Sequence, residues 1–330
     1  MHGGIIPDGA VHRRRVLGRR SVLGVVATLA LVVGQFAVWA PSAGADAGTC
    51  WVKNMTTYAT GSDLQAAIDA ASAGDILKVR GVCRGSFTID RDLSLAGPAT
   101  LDGETCDGQY CGSGIVLSVN AGNVSLKNLT ITNGYSTYDG GGIWNYGTLT
   151  LRGYSSVTGN WAEDGAGGIY NFGTLTMNSY SSVSGNWLYY IGNGGGIWNV
   201  GTLILNGESS VSGNSGAFGG GIYNDGTVIL RGWASSVGGN SGDQGGGIFN
   251  RGTVSMRGGS LVSGNTAAEY GGGIYNDDGA ILSLRHSSSV SGNTAGSGGG
   301  IYSLGTVKFW PYWNGTVCGN DPDDWPGCQS

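Results

Sequence analysis

The stretch Gly219-Gly220-Gly221-Ile222-Tyr223-Asn224 decides the fold, because close copies of it recur along most of the chain. The isoleucines of these copies are separated by 26, 28, 25, 26, 26 and 27 residues. They are Ile143, Ile169, Ile197, Ile222, Ile248, Ile274 and Ile301. A nearly constant period of this size is typical of a solenoid, in which each repeat buries its apolar face against its neighbours.

Each repeat contains three short segments that predict strands. They are the Gly-Gly-Gly-Ile-aromatic-Asn segment, a Gly-Thr-Leu-Thr-Leu type segment and a Ser-Ser-Val-x-Gly-Asn segment. Since side chains alternate along a strand, Ile143, Leu149 and Val157 are expected to point inward and Trp144 outward. We therefore predict an all-β fold, a single parallel β-helix with three short strands in each coil of about 26 residues.

Residues 62–73 predict an amphipathic helix ahead of the coils. Ser62 or Asp63 can cap its N-terminus, and Gly74 ends it. Four apolar residues lie on one stripe, namely Leu64, Ala67, Ile68 and Ala71. A helix followed by short strands resembles the entry of right-handed parallel β-helices of the pectate-lyase type, where the helix covers the open end of the stack. A cover is needed because a bare first coil would present an exposed strand edge.

The N-terminus has the layout of a secretory signal peptide. Five arginines between Arg13 and Arg20 precede an uncharged run from Ser21 to Ala45 that ends in small residues. We predict a signal peptide over residues 1–45 and the β-helix over residues 46–330. Within the β-helix, the predicted parts are an N-terminal cap with the first coils, the regular repeats and a C-terminal cap; their ranges are 46–122, 123–308 and 309–330.

Charge and cysteine content limit the partners and the compartment. Residues 46–330 hold 12 basic and 21 acidic residues, a formal charge of −9, which should repel phosphate backbones and excludes nucleic acid as an expected partner. The six cysteines are Cys50, Cys83, Cys106, Cys111, Cys318 and Cys328. An even number of cysteines in an exported chain favours disulfides. Among 15 possible connectivities, proximity favours 106 with 111 and 318 with 328, which leaves 50 for 83.

One aromatic residue follows the isoleucine of every repeat. These outward residues form the aromatic column, which consists of Trp144, Tyr170, Trp198, Tyr223, Phe249, Tyr275 and Tyr302. An exposed apolar stripe of this kind could stack on sugar rings or contact a protein partner. It could equally stiffen the sheet through stacking between adjacent strands.

Four oxygen-bearing side chains precede the glycine runs of three successive repeats, namely Asp139, Glu163, Asp164 and Asn193. Such a set could bind Ca²⁺, the one cofactor that the sequence suggests. Catalysis at this edge would also need a base, and no Arg lies at a neighbouring position of it. His286 is the sole histidine after residue 45, which leaves a Ser/His/Asp site a single candidate base.

Stacking also predicts polar columns. Two Asn columns, one ending each Ile-aromatic-Asn segment and one ending each Val-x-Gly-Asn segment, should form amide ladders with a structural role. Asp225, Arg251 and Asp277 should form a ladder of alternating charge. By contrast, Arg231 and Arg257 share a column with Arg285 near it, and an anionic ligand could relieve this arrangement.

The repeats resemble those of bacterial polymorphic outer membrane proteins, whose pattern is Phe-x-x-Asn followed by Gly-Gly-Ala-Ile. Val211-Ser212-Gly213-Asn214 followed by Gly219-Gly220-Gly221-Ile222 matches that layout, and the resemblance covers roughly residues 129–320. It implies a bacterial protein that is secreted or at the cell surface, with no stable membrane span after signal cleavage. The predicted function is binding or adhesion to a glycan or surface partner. The alternatives are a polysaccharide lyase or glycoside hydrolase, for which only the fold argues, and an inert structural rod.

Overall fold

The chain folds into a parallel β-solenoid of stacked coils. Its structure, a computed structural model, describes residues 48–103 and 114–322, all within one compact unit. The predicted signal peptide over residues 1–45 lies outside the described residues. The stack of Ile-type strands contains nine strands within the described residues, one for each coil.

The first part of the described chain contains a short helix and the strands that begin the stack. These elements are β1 (Trp51–Asn54), β2 (Thr60–Gly61), α1 (Leu64–Asp69), β3 (Ile76–Arg84), β4 (Phe87–Ile89), β5 (Leu93–Asp102), β6 (Leu117–Val119) and β7 (Asn123–Thr132). Strand β1 pairs in antiparallel fashion with β2 and β3, whereas β3, β5 and β7 pair in parallel. The parallel stacking therefore begins at β3.

The regular coils contain the three predicted strands. The Ile-type strands are β9 (Ile143–Asn145), β13 (Ile169–Asn171), β17 (Ile197–Asn199), β20 (Ile222–Asn224), β24 (Ile248–Asn250), β28 (Ile274–Asn276) and β31 (Ile301–Ser303). The second strands are β10 (Thr148–Arg152), β14 (Thr174–Met177), β18 (Thr202–Asn206), β21 (Thr227–Arg231), β25 (Thr253–Met256), β29 (Ile281–Leu284) and β32 (Thr306–Phe309). The third strands are β11 (Ser156–Thr158), β15 (Ser182–Ser184), β19 (Ser210–Ser212), β22 (Ser236–Gly238), β26 (Leu261–Ser263), β30 (Ser289–Ser291) and β33 (Val317–Cys318).

Some coils add a fourth short strand between the third strand and the glycine run, which the sequence pattern did not predict. These strands are β8 (Tyr135–Ser136), β12 (Trp161–Ala162), β16 (Trp187–Leu188), β23 (Ser241–Gln244) and β27 (Thr266–Tyr270). They pair in parallel as β8 with β12 and β16, and as β23 with β27. The connecting segments are thus part of the wall of the solenoid.

The core lies inside the coils, and its residues superpose from coil to coil. Ile222 pairs in register with Ile197 on one side and with Ile248 on the other, and all three are fully buried. Leu203 and Val211 are buried in the same way on the other two strands of their coil. The predicted inward and outward alternation is therefore confirmed, and so is the all-β parallel solenoid. The right-handed sense, which the resemblance to pectate-lyase-type helices implies, stays a prediction.

Glycine is favoured where each coil turns into its Ile-type strand, and Ala166 occupies this position in one coil with a φ of +47°. Gly219 has a φ of +65°, and a Cβ there would collide with the carbonyl oxygen of Ile222. A Cβ on Gly221 would lie 2.6 Å from the carbonyl oxygen of Gly247 in the next coil. The first glycine of the run therefore provides the left-handed turn, and the third allows neighbouring coils to approach.

Helix α1 is shorter than the predicted segment, with six residues from Leu64 to Asp69. A carboxylate oxygen of Asp63 accepts a hydrogen bond from the Ala66 N–H at 3.0 Å, so Asp63 is the N-cap. Leu64 and Ile68 are buried in the main core. The role of this helix as the cover of the first coil stays a prediction.

Disulfides are present at both ends of the described chain. Cys50 and Cys83 are bonded, as predicted, and join the segment before β1 to β3. Cys318 is also disulfide-bonded. Its expected partner Cys328 lies outside the described residues, as do Cys106 and Cys111.

Aromatic residues pack against the last coil. The Trp313 indole N–H donates a hydrogen bond to the Ser288 carbonyl oxygen at 3.0 Å, and the Trp313 ring lies 4.8 Å from that of Phe309. The guanidinium carbon of Arg285 lies 3.7 Å from the centre of the Trp310 ring. These contacts hold residues 309–313 on the stack; the boundaries of the predicted C-terminal cap stay a prediction.

Candidate functional site

The aromatic column lies on one face of the solenoid, with its seven members in register. Tyr170 pairs with Trp144 and Trp198, and Tyr223, Phe249, Tyr275 and Tyr302 follow in order. Each ring points away from the core because the preceding isoleucine points into it. The order of the column is as predicted.

The expectation that the whole column is exposed is wrong for three of its members. Tyr223, Phe249 and Tyr275 keep only 6%, 7% and 9% of their surface accessible. Their rings stack at 5.2 and 4.6 Å, and Phe218 packs edge-on against Phe249 at 5.5 Å. The alternation of side chains along a strand predicts which residues point out of the core. It does not predict which of those residues are covered by a neighbouring segment.

The charge ladder flanks the same buried part of the column. Arg251 contacts Asp225 at 3.2 Å and Asp277 at 3.7 Å, which confirms the predicted alternation of charge. Arg251 also donates a hydrogen bond to the Tyr223 hydroxyl at 3.1 Å. The stacked rings in this half of the column are covered by Phe218 and by the Asp225–Arg251–Asp277 ladder. We therefore assign this half a role in packing rather than in ligand binding.

The other half of the column is accessible and is widened by a second row of rings. Tyr146 and Phe172 immediately follow the column asparagines and are exposed. We call Trp144, Tyr146, Tyr170, Phe172 and Trp198 the aromatic platform. Tyr146 and Phe172 stack at 4.9 Å with their planes 6° apart, and Tyr170 lies 4.3 Å from Phe172 and 4.8 Å from Trp198.

Hydrogen bonds fix the two tryptophans of the aromatic platform. The indole N–H of Trp144 donates to the Asp139 carbonyl oxygen at 2.7 Å, and that of Trp198 donates to a carboxylate oxygen of Asp225 at 2.9 Å. The polar edge of each ring is thus satisfied by the protein. A ligand that stacks on these rings would find them already ordered, which lowers the entropic cost of binding.

A carboxyl group with a shifted pKa lies at the edge of the aromatic platform. Burial raises the pKa of Asp139 to about 6, and the charge of Asp164 adds to the shift. Burial also raises the pKa of Tyr170 to about 12, with a contribution from Asp139. Near neutral pH, Asp139 is therefore the titratable group of this surface, whereas Tyr170 stays protonated.

The proposed Ca²⁺ ligands are only partly gathered. Asp139 and Asn193 belong to one column, in which each forms a bridge with Gly165. Glu163 instead accepts a hydrogen bond from the Tyr135 hydroxyl at 2.5 Å. Over residues 48–103 and 114–322, no group of three or more His, Cys, Asp and Glu side chains is arranged to hold a metal ion. The Ca²⁺ site stays a prediction.

Both Asn columns are buried ladders. Asn145 Nδ2 donates to Asn171 Oδ1 at 2.7 Å, and Asn171 Nδ2 donates to Asn199 Oδ1 at the same distance. In the second column, Asn186 donates to Asn214 Oδ1 from both its backbone N–H and its Nδ2, each at 3.0 Å. The structural role that the sequence predicts for these amides is confirmed.

Two further aromatic stacks lie on other edges of the coils. Tyr135, Trp161 and Trp187 stack at 4.0 and 5.0 Å along the fourth strands. Tyr154 and Tyr180 stack at 5.0 Å on the turn after the second strands, and both are exposed. Sequence reasoning missed the roles of Tyr146 and Phe172, although their shared position after the column Asn was a usable signal.

The repeats have a recognisable type. Residues 259–277 and 287–304 match the family model of the Chlamydia polymorphic membrane protein repeat. These two stretches are similar to polymorphic membrane protein repeats. The repeat type confirms the resemblance drawn from the glycine and asparagine pattern, and it indicates a surface-exposed β-helix protein of bacterial type.

No curated protein and no solved structure matches the chain. In the described part of the chain, no helix has the length and apolarity needed to cross a membrane.

Proposed function

We propose that this protein is a bacterial surface adhesin that binds glycan through the aromatic platform. The observation that carries the proposal is the double row of rings from Trp144 to Trp198, whose outer row is exposed, whose inner row is half-buried and whose neighbouring centres lie 4.3 to 6.2 Å apart. Aromatic faces bind the apolar faces of sugar rings, and a row of them suits a chain of sugars. The polymorphic membrane protein repeats support a surface location.

The aromatic platform has the character of a binding surface as well as of a packed sheet. Its outer rings are exposed at Tyr146 and Phe172, whereas the equivalent positions in later coils hold Asp225 and Arg251. The buried half of the column shows that the rings can stack without an exposed second row. The additional exposed pair has a solvation cost that a bound ligand would remove.

Binding is tested with a glycan array and affinity electrophoresis on the mature chain. Tyr146→Ser together with Phe172→Ser should abolish retention by the glycans that the parent protein binds, because the outer row is lost while the column stays. The matched control is Tyr154→Ser together with Tyr180→Ser, an exposed stacked pair from the same two coils on another edge. Equal loss of retention in both double variants, or retention unchanged in the first, would refute the proposal.

The second candidate function is glycan cleavage, favoured by one observation. Asp139 has a pKa raised to about 6 and lies beside Asp164 at the platform edge, which is the state that a general acid requires. A reducing-end assay on the retained glycans separates the two functions. New reducing ends that disappear in Asp139→Asn indicate an enzyme, and retention without cleavage indicates a binding protein.

A further inference from the structure

A row of cationic side chains follows the second strands, on a different edge of the coils from the aromatic platform. Register and backbone hydrogen bonds place one residue per coil in this row. In order along the stack they are Lys127, Arg152, Asn178, Asn206, Arg231, Arg257 and Arg285. Five of these seven residues are positively charged, in a chain whose residues 46–330 carry a formal charge of −9. We call this row the basic row.

Among the described residues, the basic row has no salt-bridge partner. Within residues 48–103 and 114–322, no carboxylate lies within salt-bridge distance of Arg231, Arg257 or Arg285. Parallel strands lie about 4.8 Å apart, so like charges in adjacent coils repel one another. In addition, Arg285 Nε is buried without a hydrogen-bond partner in the described structure. An anion along the row would remove the repulsion between these charges.

A groove of about 580 Å³ lies along the basic row. Its lining consists of Asn206, Gly207, Arg231, Gly232, Arg257, Gly258 and His286. The residues that follow the row in successive coils are glycines with positive φ, from Gly207 to Gly258, so the floor carries no side chain there. The amides of Gly232 and Gly258 donate no hydrogen bond to any described residue. Cationic walls and free amides together fit an anionic group.

Neighbouring groups hold the cations in place. Arg231 Nε donates to Asn206 Oδ1 at 2.5 Å, and Asn206 Nδ2 donates to Asn178 Oδ1 at 2.6 Å. Arg285 lies against the Trp310 ring. The hydrogen bond to Asn206 uses only the Nε of Arg231 and leaves its remaining N–H groups for a ligand, since a guanidinium carries five donors.

An exposed ring lies beside the groove. Trp233 is 81% exposed, and it follows Gly232 of the groove floor directly in the sequence. Asn206 and Gly207 line both the groove and the adjoining recess that contains Trp233, Tyr180 and Glu208. Glu208 is the acidic residue of that recess.

We propose that the basic row is a second binding site, which takes an anionic polysaccharide bearing sulfate or carboxylate groups. The row supplies guanidinium forks, which bind both carboxylate and tetrahedral oxyanions in bidentate fashion. It repeats coil by coil, so it suits a polymer whose charges also repeat. Trp233 supplies a ring on which a sugar can stack.

Binding to the basic row is measured with the mature chain by surface plasmon resonance. The probes are dextran sulfate, polygalacturonate, single-stranded DNA and neutral dextran. We expect dextran sulfate, polygalacturonate or both to bind, and the affinity to fall steeply as salt increases, because counterions are released from the polymer. Absence of binding to both anionic polysaccharides at low salt overturns the proposal, and so does equal or tighter binding of DNA.

Paired substitutions locate the site. Arg231→Gln together with Arg257→Gln should weaken binding about tenfold or more, since two charge-assisted contacts are lost. The matched control, Arg80→Gln together with Arg84→Gln, removes two exposed positive charges from β3 and should change binding little. Equal weakening in both variants would mean a general charge effect and would overturn the proposal.

Two further variants test whether a loss of binding is due to misfolding and whether the basic row is separate from the aromatic platform. Arg231→Lys keeps the charge and removes the planar fork, so it should fold and bind with an intermediate affinity; parent-like affinity would contradict bidentate binding. Tyr146→Ser with Phe172→Ser should leave binding to dextran sulfate unchanged. The basic-row site and the platform site therefore succeed or fail independently.

Discussion

At the scale of single residues, buried Asn and buried Ser side chains differ in their hydrogen bonding: the Asn amides are hydrogen-bonded from coil to coil, whereas several Ser hydroxyls have no partner in the described structure. Asn214 Oδ1 accepts two hydrogen bonds from Asn186, and Asn214 Nδ2 donates to Val183 O and Asn240 Oδ1. Asn214→Ala should therefore lower the free energy of unfolding by about 2–4 kcal/mol, because several buried partners lose a hydrogen bond. Urea unfolding followed by tryptophan fluorescence measures this loss.

Ser209 is the control for that prediction. It is equally buried, but its hydroxyl has no hydrogen-bond partner in the described structure. Ser209→Ala should leave the free energy of unfolding unchanged or raise it by about 1 kcal/mol, since an unsatisfied polar group is removed. A loss as large as that of Asn214→Ala would contradict the assignment of stability to the amide ladder.

Asp139 gives the stability of the protein a pH dependence. Its pKa is raised from the ordinary value of 3.8 to about 6, so the folded state binds this proton more tightly than the unfolded chain does. The resulting stability is fully present below about pH 4 and is lost as the pH rises through about 6. Asp139→Asn should remove this decline and stabilise the protein at pH 7 by about 1–2 kcal/mol, a value reduced for partial exposure.

Melting temperatures of the parent protein and the Asp139→Asn variant between pH 4 and pH 8 test the decline. The two curves should meet near pH 4 and separate above it. Asp243→Asn, which alters an exposed acid of a later coil, should give a curve parallel to that of the parent. A stabilisation by Asp139→Asn that is the same at all pH values would contradict a titrating origin.

At the scale of the elements, the strands with a regular period were predictable and the connecting segments were not. Ile222 and Val211 recur at one interval and alternate with polar residues, so the sequence states both the strand and its inner face. The fourth strands carry no such pattern: Trp161-Ala162 and Thr266–Tyr270 occupy the same part of the coil with different residues and lengths. These strands form by pairing with the neighbouring coil, and the periodicity of the sequence does not show that pairing.

The dependence on neighbouring coils also explains why the order of the aromatic column was predicted correctly and the burial of three of its rings was not. Its position and order follow from alternation, as do the Asn ladders and the Asp225–Arg251–Asp277 pairs. The burial of Phe249 does not follow, because it depends on how the segment containing Phe218 folds over the neighbouring coil. The exposure of the aromatic platform could therefore not be predicted from the sequence, because only the structure shows which rings of the column are left uncovered.

At the scale of the whole molecule, each coil contacts chiefly the coils on either side. Stability is then a sum of coil and interface contributions, and a defect should remain local. Ile222 has Ile197 and Ile248 on its two sides in register, whereas Ile301 ends its stack within the described residues and pairs with Ile274. A cavity at Ile222 therefore damages two interfaces, and one at Ile301 damages the end of the stack.

Hydrogen exchange with mass spectrometry tests this locality. Ile222→Ala should cost about 3–4 kcal/mol and accelerate exchange in peptides between residues 197 and 250, because the cavity loosens its own coil and both neighbours. Peptides from β3 and β5 should exchange as in the parent protein, since several intact coils separate them from the cavity. Ile301→Ala should confine its effect to the last coils. Acceleration spread evenly from β3 to β32 in either variant would mean that the solenoid opens as one unit, against the nearest-neighbour origin of its stability.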